Sequence, residues 1–237
     1  MNYLAHDTVA VLRCESCLAR RDGLCAVLSE VDQRRLAAAG RDLSLAPGAA
    51  IFAEGDRAEW GFVVKHGMVR LSRLLASGDR QVFGFLRPGH FFGWTRDGGY
   101  GATAEAVTRT TLCRLSLREL DAMARARPDF ERRLRESATD DLDAALAQVS
   151  MLIRKTAVGK VSAFVLYFAE QERRHACTPW FDMPMKREDI ADYLGTATET
   201  VCRCFRQLAE ERLVEFENVH RARIRDAAAL TAYADAS

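Results

Sequence analysis

Net charge is what this 237-residue chain has least of: 34 Lys and Arg stand against 33 Asp and Glu, leaving +1. That excludes a partner held by the field of the whole molecule, so any polyanion must be met by a local basic surface. Long apolar runs are missing as well. The longest strongly apolar stretch, Ala163 to Ala169, falls far short of the roughly 20 residues that span a bilayer, and no membrane partner is expected. The first twelve residues hold no Lys or Arg and are interrupted by Asp7. That is not the pattern of a secretory leader, and a cytoplasmic protein is expected. Catalytic signatures are absent too. There is no His-Glu-x-x-His, no Walker-type glycine loop and no Ser/His/Asp arrangement, and the five histidines are scattered. The chain is expected not to be an enzyme. What remains, 49% hydrophobic and 28% charged residues, describes a globular chain with room for one large or two small cores.

The cysteines carry the most information. Cys14, Cys17 and Cys25 form a Cys-x2-Cys-x7-Cys run, and Cys113 stands alone in a strand-like segment. Seven cysteines is an odd number, which disfavours a framework of paired disulfides, and in the cytoplasm reduced thiols serve as ligands or reactive groups. Thiolates at this spacing hold a metal or an iron–sulfur cluster if a fourth ligand arrives from elsewhere. A zinc site, a metal-free thiol switch and, for Cys113, a small buried hydrophobe are the other readings of the same residues. Cys204 shares a helical face with Val201, Phe205 and Leu208 and reads as core, while Cys177 reads as a loop residue.

From about Leu43 to Leu117 short alternating strands such as Gly61-Phe-Val-Val64 and Val82-Phe-Gly-Phe85 are separated by turn pairs, Pro47-Gly48, His66-Gly67 and Pro88-Gly89 among them. That is the pattern of an antiparallel barrel or roll. From Leu117 to Arg154 glycine vanishes, and Pro128 suits the first position of a long helix. Ala138, Leu142, Leu146, Val149 and Ile153 then follow at steps of four, four, three and four, one narrow stripe fit for a two-helix seam. Asp140, Asp141 and Asp143 lie beside it. A buried helix follows over 161–169. Lys186–Leu194 and Thr198–Arg212 read as two helices about Gly195, followed by a strand pair at 213–216 and 223–225. This is a winged helix-turn-helix. The boundaries drawn are 1–30 for the cysteine segment, 31–121 for the roll, 122–158 for the long helix and 159–237 for the winged domain.

These parts, in this order, resemble the CRP/FNR superfamily of transcription regulators over about residues 13–233. The residues that carry the likeness are the cysteine run, Thr111-Leu-Cys-Arg-Leu115, Asp189-Ile-Ala-Asp-Tyr-Leu-Gly195 and Glu199-Thr-Val-Cys-Arg203. Within the superfamily the cysteines resemble the oxygen-sensing FNR branch, in its FnrN-like, FixK-related form. The resemblance implies an α+β fold: an N-terminal antiparallel β-roll of the cyclic-nucleotide-binding type, a long dimerisation helix and a C-terminal winged helix-turn-helix. It also implies a [4Fe–4S] cluster on Cys14, Cys17, Cys25 and Cys113, with Leu24 where the family limits oxygen access.

On DNA it implies that Glu199, Cys202 and Arg203 read the bases from a face that Arg206 shares, with Lys186 and Arg187 as further DNA-binding residues. Arginine grips guanine O6 and N7 with two bonds, and glutamate accepts from a cytosine amine. Cys202 replaces the family's serine and alters one contact to its TTGAT…ATCAA half-sites. A capping box from Thr196 to Glu199 and a Glu199–Arg203 ion pair are the structural alternatives for the same residues. Between Met183 and Arg225 eight Lys/Arg balance eight Asp/Glu. Lys186, Arg187, Arg203, Arg206, Arg221 and Arg223 must therefore gather on the DNA side. The remaining partners implied are a second copy of the chain and RNA polymerase. Cyclic nucleotide is not expected, because Trp94 follows Gly93 where a ribose-binding carboxylate is needed and Arg109-Thr110 comes late for the phosphate. The alternative is a CRP-like regulator gated by a small effector, with structural zinc or a thiol switch at the N-terminal cysteines.

Overall fold

The computed structural model describes residues 17–21, 23–95, 97–173 and 178–236. Cys14, Arg96 and Cys177 lie outside the described residues. Two compact units emerge. The first takes the chain up to Arg73 together with Phe83–Asp143; the second takes Leu74–Val82 and everything from Ala144 onward. The division runs through the long helix rather than setting that helix apart, and it gives a hairpin tip to the second unit.

The first unit opens with the short helix α1 (Leu18–Arg21), a 3₁₀ turn (Leu24–Val27) and α2 (Glu30–Ala39). Ser29 caps α2 by accepting from the Asp32 backbone N–H at 3.2 Å. Eight strands follow: β1 (Arg41–Leu45), β2 (Ala50–Phe52), β3 (Trp60–His66), β4 (Val69–Leu74), β5 (Arg80–Leu86), β6 (Phe91–Phe92), β7 (Thr103–Ala106) and β8 (Thr110–Ser116). They make two four-stranded antiparallel sheets, ordered β1-β8-β3-β6 and β2-β7-β4-β5, the expected roll. The turn glycines Gly48, Gly67 and Gly89 all carry positive φ. At Gly67 an added Cβ would lie 2.5 Å from the Arg109 carbonyl oxygen, so glycine is required twice over.

Period-two alternation sorts the β3 and β8 side chains between two cores. Phe62, Val64 and Leu112 point into the roll with Leu43, Phe92 and Tyr100. Val63 and Leu115 point the other way, into a core closed by Ala19, Leu24, Leu28 and Leu36 and by Leu120, Met123 and Phe130 of the helices that follow. A sheet covered on both faces explains why β3 is buried at four consecutive positions. Helix α3 (Leu117–Ala126) leads into α4 (Pro128–Leu152), which starts at the expected proline.

In the second unit α5 (Ala157–Arg173) is packed by α8 (Ala227–Asp235). Helix α6 (Arg187–Leu194) ends at Gly195 in the left-handed conformation, and α7 (Thr198–Glu210) follows. The wing is a three-stranded sheet, β10 (Val214–Asn218), β11 (Arg221–Ile224) and β9 (Trp180–Asp182) in that order. The third strand, β9, is an addition to the expected pair. The α+β class, the roll, the long helix and the winged helix-turn-helix are thus all present. Among the described residues no helix is long and apolar enough to cross a membrane.

Candidate functional site

Cys17, Cys25 and Cys113 come together on one cavity of about 40 Å³ in the first unit. Each thiol is half-buried. Cys113 reaches the cavity from β8, where it stands opposite Asp42 on β1 and Val63 on β3. Leu112 and Arg114 on either side of it alternate to the other face of the strand. Cys17 and Cys25 arrive from the N-terminal segment. Gly23 allows that segment its close turn, because a Cβ there would lie 2.6 Å from Ala19 Cα. Gln33 on α2 fastens it by donating to the Cys25 and Leu28 carbonyls at 3.2 and 3.0 Å.

The cavity walls are otherwise apolar, from Ala19, Leu36, Val63 and Leu115, with one cation, Lys65. Lys65 donates to Asp42 Oδ2 at 2.7 Å, and its side chain is 4% exposed. Sequence reasoning missed Lys65. The signal was there, since it follows Val63 at the period of two, but its covering layer is distant in the chain. Leu24, next to Cys25, is buried. Among the described residues no three His, Cys, Asp or Glu side chains stand close enough together to hold a metal ion. The donor set of soft thiols in an apolar pocket fits an iron–sulfur group, with Cys14 outside the described residues.

The roll interior is filled by its own aromatics. Phe52 and Tyr100 stack with ring centroids 3.7 Å apart, and Phe62 and Phe92 lie within 6.0 Å of Phe52. Tyr100 donates to the Trp60 carbonyl at 2.7 Å, and burial pushes its phenol up despite that bond. Trp94 is exposed and packs edge-on against Phe91. Thr110 is fully buried and donates to the Met68 and Thr108 carbonyls, while Arg109 faces solvent.

In the second unit α7 is divided as its sequence implies. Val201, Cys204, Phe205 and Leu208 are buried, whereas Glu199, Cys202, Arg203 and Arg206 are exposed. Burial also raises the Cys204 thiol above its ordinary range. Neither structural alternative for this face forms. The residue before the helix is Ala197, with no side-chain cap, so Thr196 does not close a capping box. Arg203 turns to Thr200, donating to its hydroxyl at 3.1 Å, in place of an ion pair with Glu199.

Arg187 is half-buried. Its guanidinium lies over the Phe205 ring at 3.8 Å and near Phe216 at 5.7 Å, and Nη1 is buried without a hydrogen-bond partner among the described residues. Burial lowers its pKa. Aromatic faces close by hold the planar guanidinium, so Arg187 packs half-buried on rings while its neighbour Lys186 is exposed. The expected basic cluster is also thinner than its six members. Arg223 is bound to Glu215 at 2.8 Å and lies over Trp180, and Arg221 is bound to Glu217 at 3.0 Å. Lys186, Arg203 and Arg206 remain exposed.

A model of the cyclic nucleotide-binding domain matches residues 42–127, and one of the Crp-like helix-turn-helix domain matches residues 159–233. The chain is 33% identical to the nitrogen fixation regulation protein FixK of Bradyrhizobium diazoefficiens, over 82% of this chain and 83% of that one. It is 32% identical to the transcriptional activatory protein AadR of Rhodopseudomonas palustris, over 90% and 91%. To the transcriptional activator protein FnrL of Cereibacter sphaeroides it is 30% identical, over 95% and 93%. The solved structure of FixK2 from Bradyrhizobium japonicum matches with a TM-score of 0.77 at 30% identity, covering 84% of this chain and 98% of that one.

The two adjacent cations are therefore expected to part company on substitution. Arg187→Ala should lower stability by about 1–3 kcal/mol through removal of the stacking. Lys186→Ala should leave stability within about 0.5 kcal/mol and reduce the salt slope of duplex binding by roughly one. Thermal unfolding with salt titrations of DNA affinity checks both. Unchanged stability with a reduced slope in Arg187→Ala would return Arg187 to the backbone contacts.

Proposed function

The chain belongs to the CRP/FNR family of transcription regulators, a DNA-binding protein of the FixK/FNR type, and we propose that oxygen sets its grip on DNA through a [4Fe–4S] cluster. The ligands in this reading are Cys14, Cys17, Cys25 and Cys113. The observation that carries it is the convergence of three of these thiols, from two distant parts of the chain, on one apolar cavity. A bound cluster would supply an oxygen-labile tie between the N-terminal segment and the roll. The protein's own residues prepare that tie. Strand β8 holds Cys113 rigidly, Gln33 fixes the turn carrying Cys25, and Leu24 closes the approach beside it.

The active form in this reading is a homodimer that binds a palindrome and works with RNA polymerase. Its support is the α4 stripe: Leu142, Leu146, Val149 and Ile153 are 58, 55, 53 and 75% exposed in the single chain. A second copy of the same helix offers the matching seam. Two identical half-sites one helical turn apart then need both α7 helices. The aspartates beside the seam, Asp140, Asp141 and Asp143, repel their counterparts and keep pairing weak enough to be switched.

Three outcomes are expected. Protein purified without oxygen should carry about four iron and four sulfide per chain, and Cys113→Ala should not load fully. Stoichiometric zinc without sulfide, or full loading of Cys113→Ala, refutes the cluster. On DNA, Arg203→Ala should lose on the order of 1–3 kcal/mol on the selected palindrome and relax preference at one base pair, and Cys202→Ser should strengthen binding to TTGAT…ATCAA. Equal losses by Arg203→Ala on palindrome and random duplex would make Arg203 a backbone contact only. Calorimetry with cyclic AMP is expected to show no binding, because Phe52 and Tyr100 occupy the roll. Micromolar affinity would favour a small-molecule gate instead.

A further inference from the structure

We infer that Arg80 is a positioning residue for DNA reading: with Gln81 and Gln148 it clamps α6, against which α7 packs, to the dimer-forming end of α4. All of these groups lie within the second unit, which holds the hairpin tip Leu74–Val82, the end of α4 and the winged domain. The inference rests on the dimeric reading above and adds a residue that acts through α6.

The clamp shows first in the backbone of α6. A helix leaves its last four carbonyls without partners from the helix itself. For α6 each of these is met by a different element. Ala191 O accepts from the Gly195 and Thr196 N–H groups of the turn. Asp192 O accepts from Gln81 Nε2 of the hairpin at 2.8 Å. Tyr193 O accepts from Gln148 Nε2 of α4 at 2.9 Å. Leu194 O accepts from Lys160 Nζ of α5 at 3.4 Å. Gln148 is 6% exposed and donates also to the Val82 carbonyl at 2.8 Å, so one amide joins α4, the hairpin and α6.

The second part is ionic. Arg80 Nε donates to Asp192 Oδ2 at 2.7 Å and Nη2 to Asp189 Oδ1 at 2.8 Å, with Glu188 at 3.7 Å. Asp189 is 2% exposed. Its other oxygen accepts from the Lys186 backbone N–H at 3.2 Å, at the start of α6. One guanidinium thus grips two carboxylates a turn apart, along the helix on which α7 packs. A planar fork does this where an ammonium on a flexible stem does not.

The geometry points to positioning rather than to stability alone. Leu146 and Val149 on α4 and Ile153 just after it are exposed for a partner, while Gln148 turns to the opposite side and binds α6. The angle between the seam and the recognition helix is therefore set through the clamp. In a symmetric dimer an error in that angle enters twice and changes the separation of the two α7 helices, whereas one α7 on one half-site is unaffected.

The test compares Arg80→Ala and Arg80→Lys with the wild type on four duplexes. These are the palindrome selected by wild-type protein, versions with one base pair added or removed at its centre, and an isolated half-site. Arg80→Ala is expected to bind the palindrome about tenfold more weakly, to bind the half-site unchanged, and to lose the wild type's preference among spacings. Arg80→Lys should fall between the two. Wild-type affinity and spacing preference in Arg80→Ala would overturn the inference, as would equal losses on palindrome and half-site. If Arg80→Ala does not fold, Arg80→Lys decides, with a loss of about threefold confined to the palindrome expected and none overturning it. A wild type that binds palindrome and half-site alike would instead refute the dimeric reading.

Discussion

Burial of both faces of the β1-β8-β3 sheet is the constraint on which the sensory half of the molecule depends. One face packs against the second sheet of the roll; the other is closed by α1, α2 and the helices after β8. Because side chains alternate, β8 cannot send Leu112 into the roll without sending Cys113 toward the N-terminal segment. A slip of one residue would bury Arg114 where Cys113 stands and remove the Cys113 thiol from the cavity. Each fully buried Phe or Leu in these cores contributes roughly 1.5–3 kcal/mol, so the register is held by many residues at once. The chemistry at the cavity inherits its precision from packing that has no chemical role.

The same packing argues against a nucleotide in the roll. Phe52, Phe62, Phe92 and Tyr100 fill the interior with stacked and tilted rings. Opening it would separate the Phe52–Tyr100 stack and break the Tyr100 bond to Trp60. The outer face of the sheet carries the thiol-lined cavity and a buried Lys65–Asp42 pair.

Much of this is legible in the chain because the relevant signals are local. Turn glycines, the proline at the start of α4, the glycine after α6 and the two-faced pattern of α7 each act within a few residues. What sequence reading misses depends on partners far away. Strand β9 is three residues long, too short to alternate visibly, and exists because β11 pairs with it. Arg187 has the sequence setting of a surface cation beside Lys186; only the approach of Phe205 and Phe216 turns it onto aromatic rings. Arg221 and Arg223 read as free positive charge in the chain, whereas the wing places Glu217 and Glu215 beside them. The near-zero net charge foretells such internal pairing without saying which cations it consumes.

That pairing has a consequence for recognition. With three of six candidate cations engaged inside the domain, the exposed set is Lys186, Arg203 and Arg206, of which Arg203 and Arg206 lie on the exposed face of α7 proposed to read bases. Fewer phosphates neutralised would mean both lower affinity and a shallower salt dependence for one copy of the domain. Specific binding must then draw on base contacts and on the use of two domains at once, since the second copy acts at high effective concentration once the first is seated. A regulator built this way is sensitive to whatever sets the pairing of its copies and the angle of their helices. Weak charge on the reading surface, an exposed seam on α4 and a rigid clamp on α6 are three parts of one arrangement, in which control of geometry replaces strength of contact.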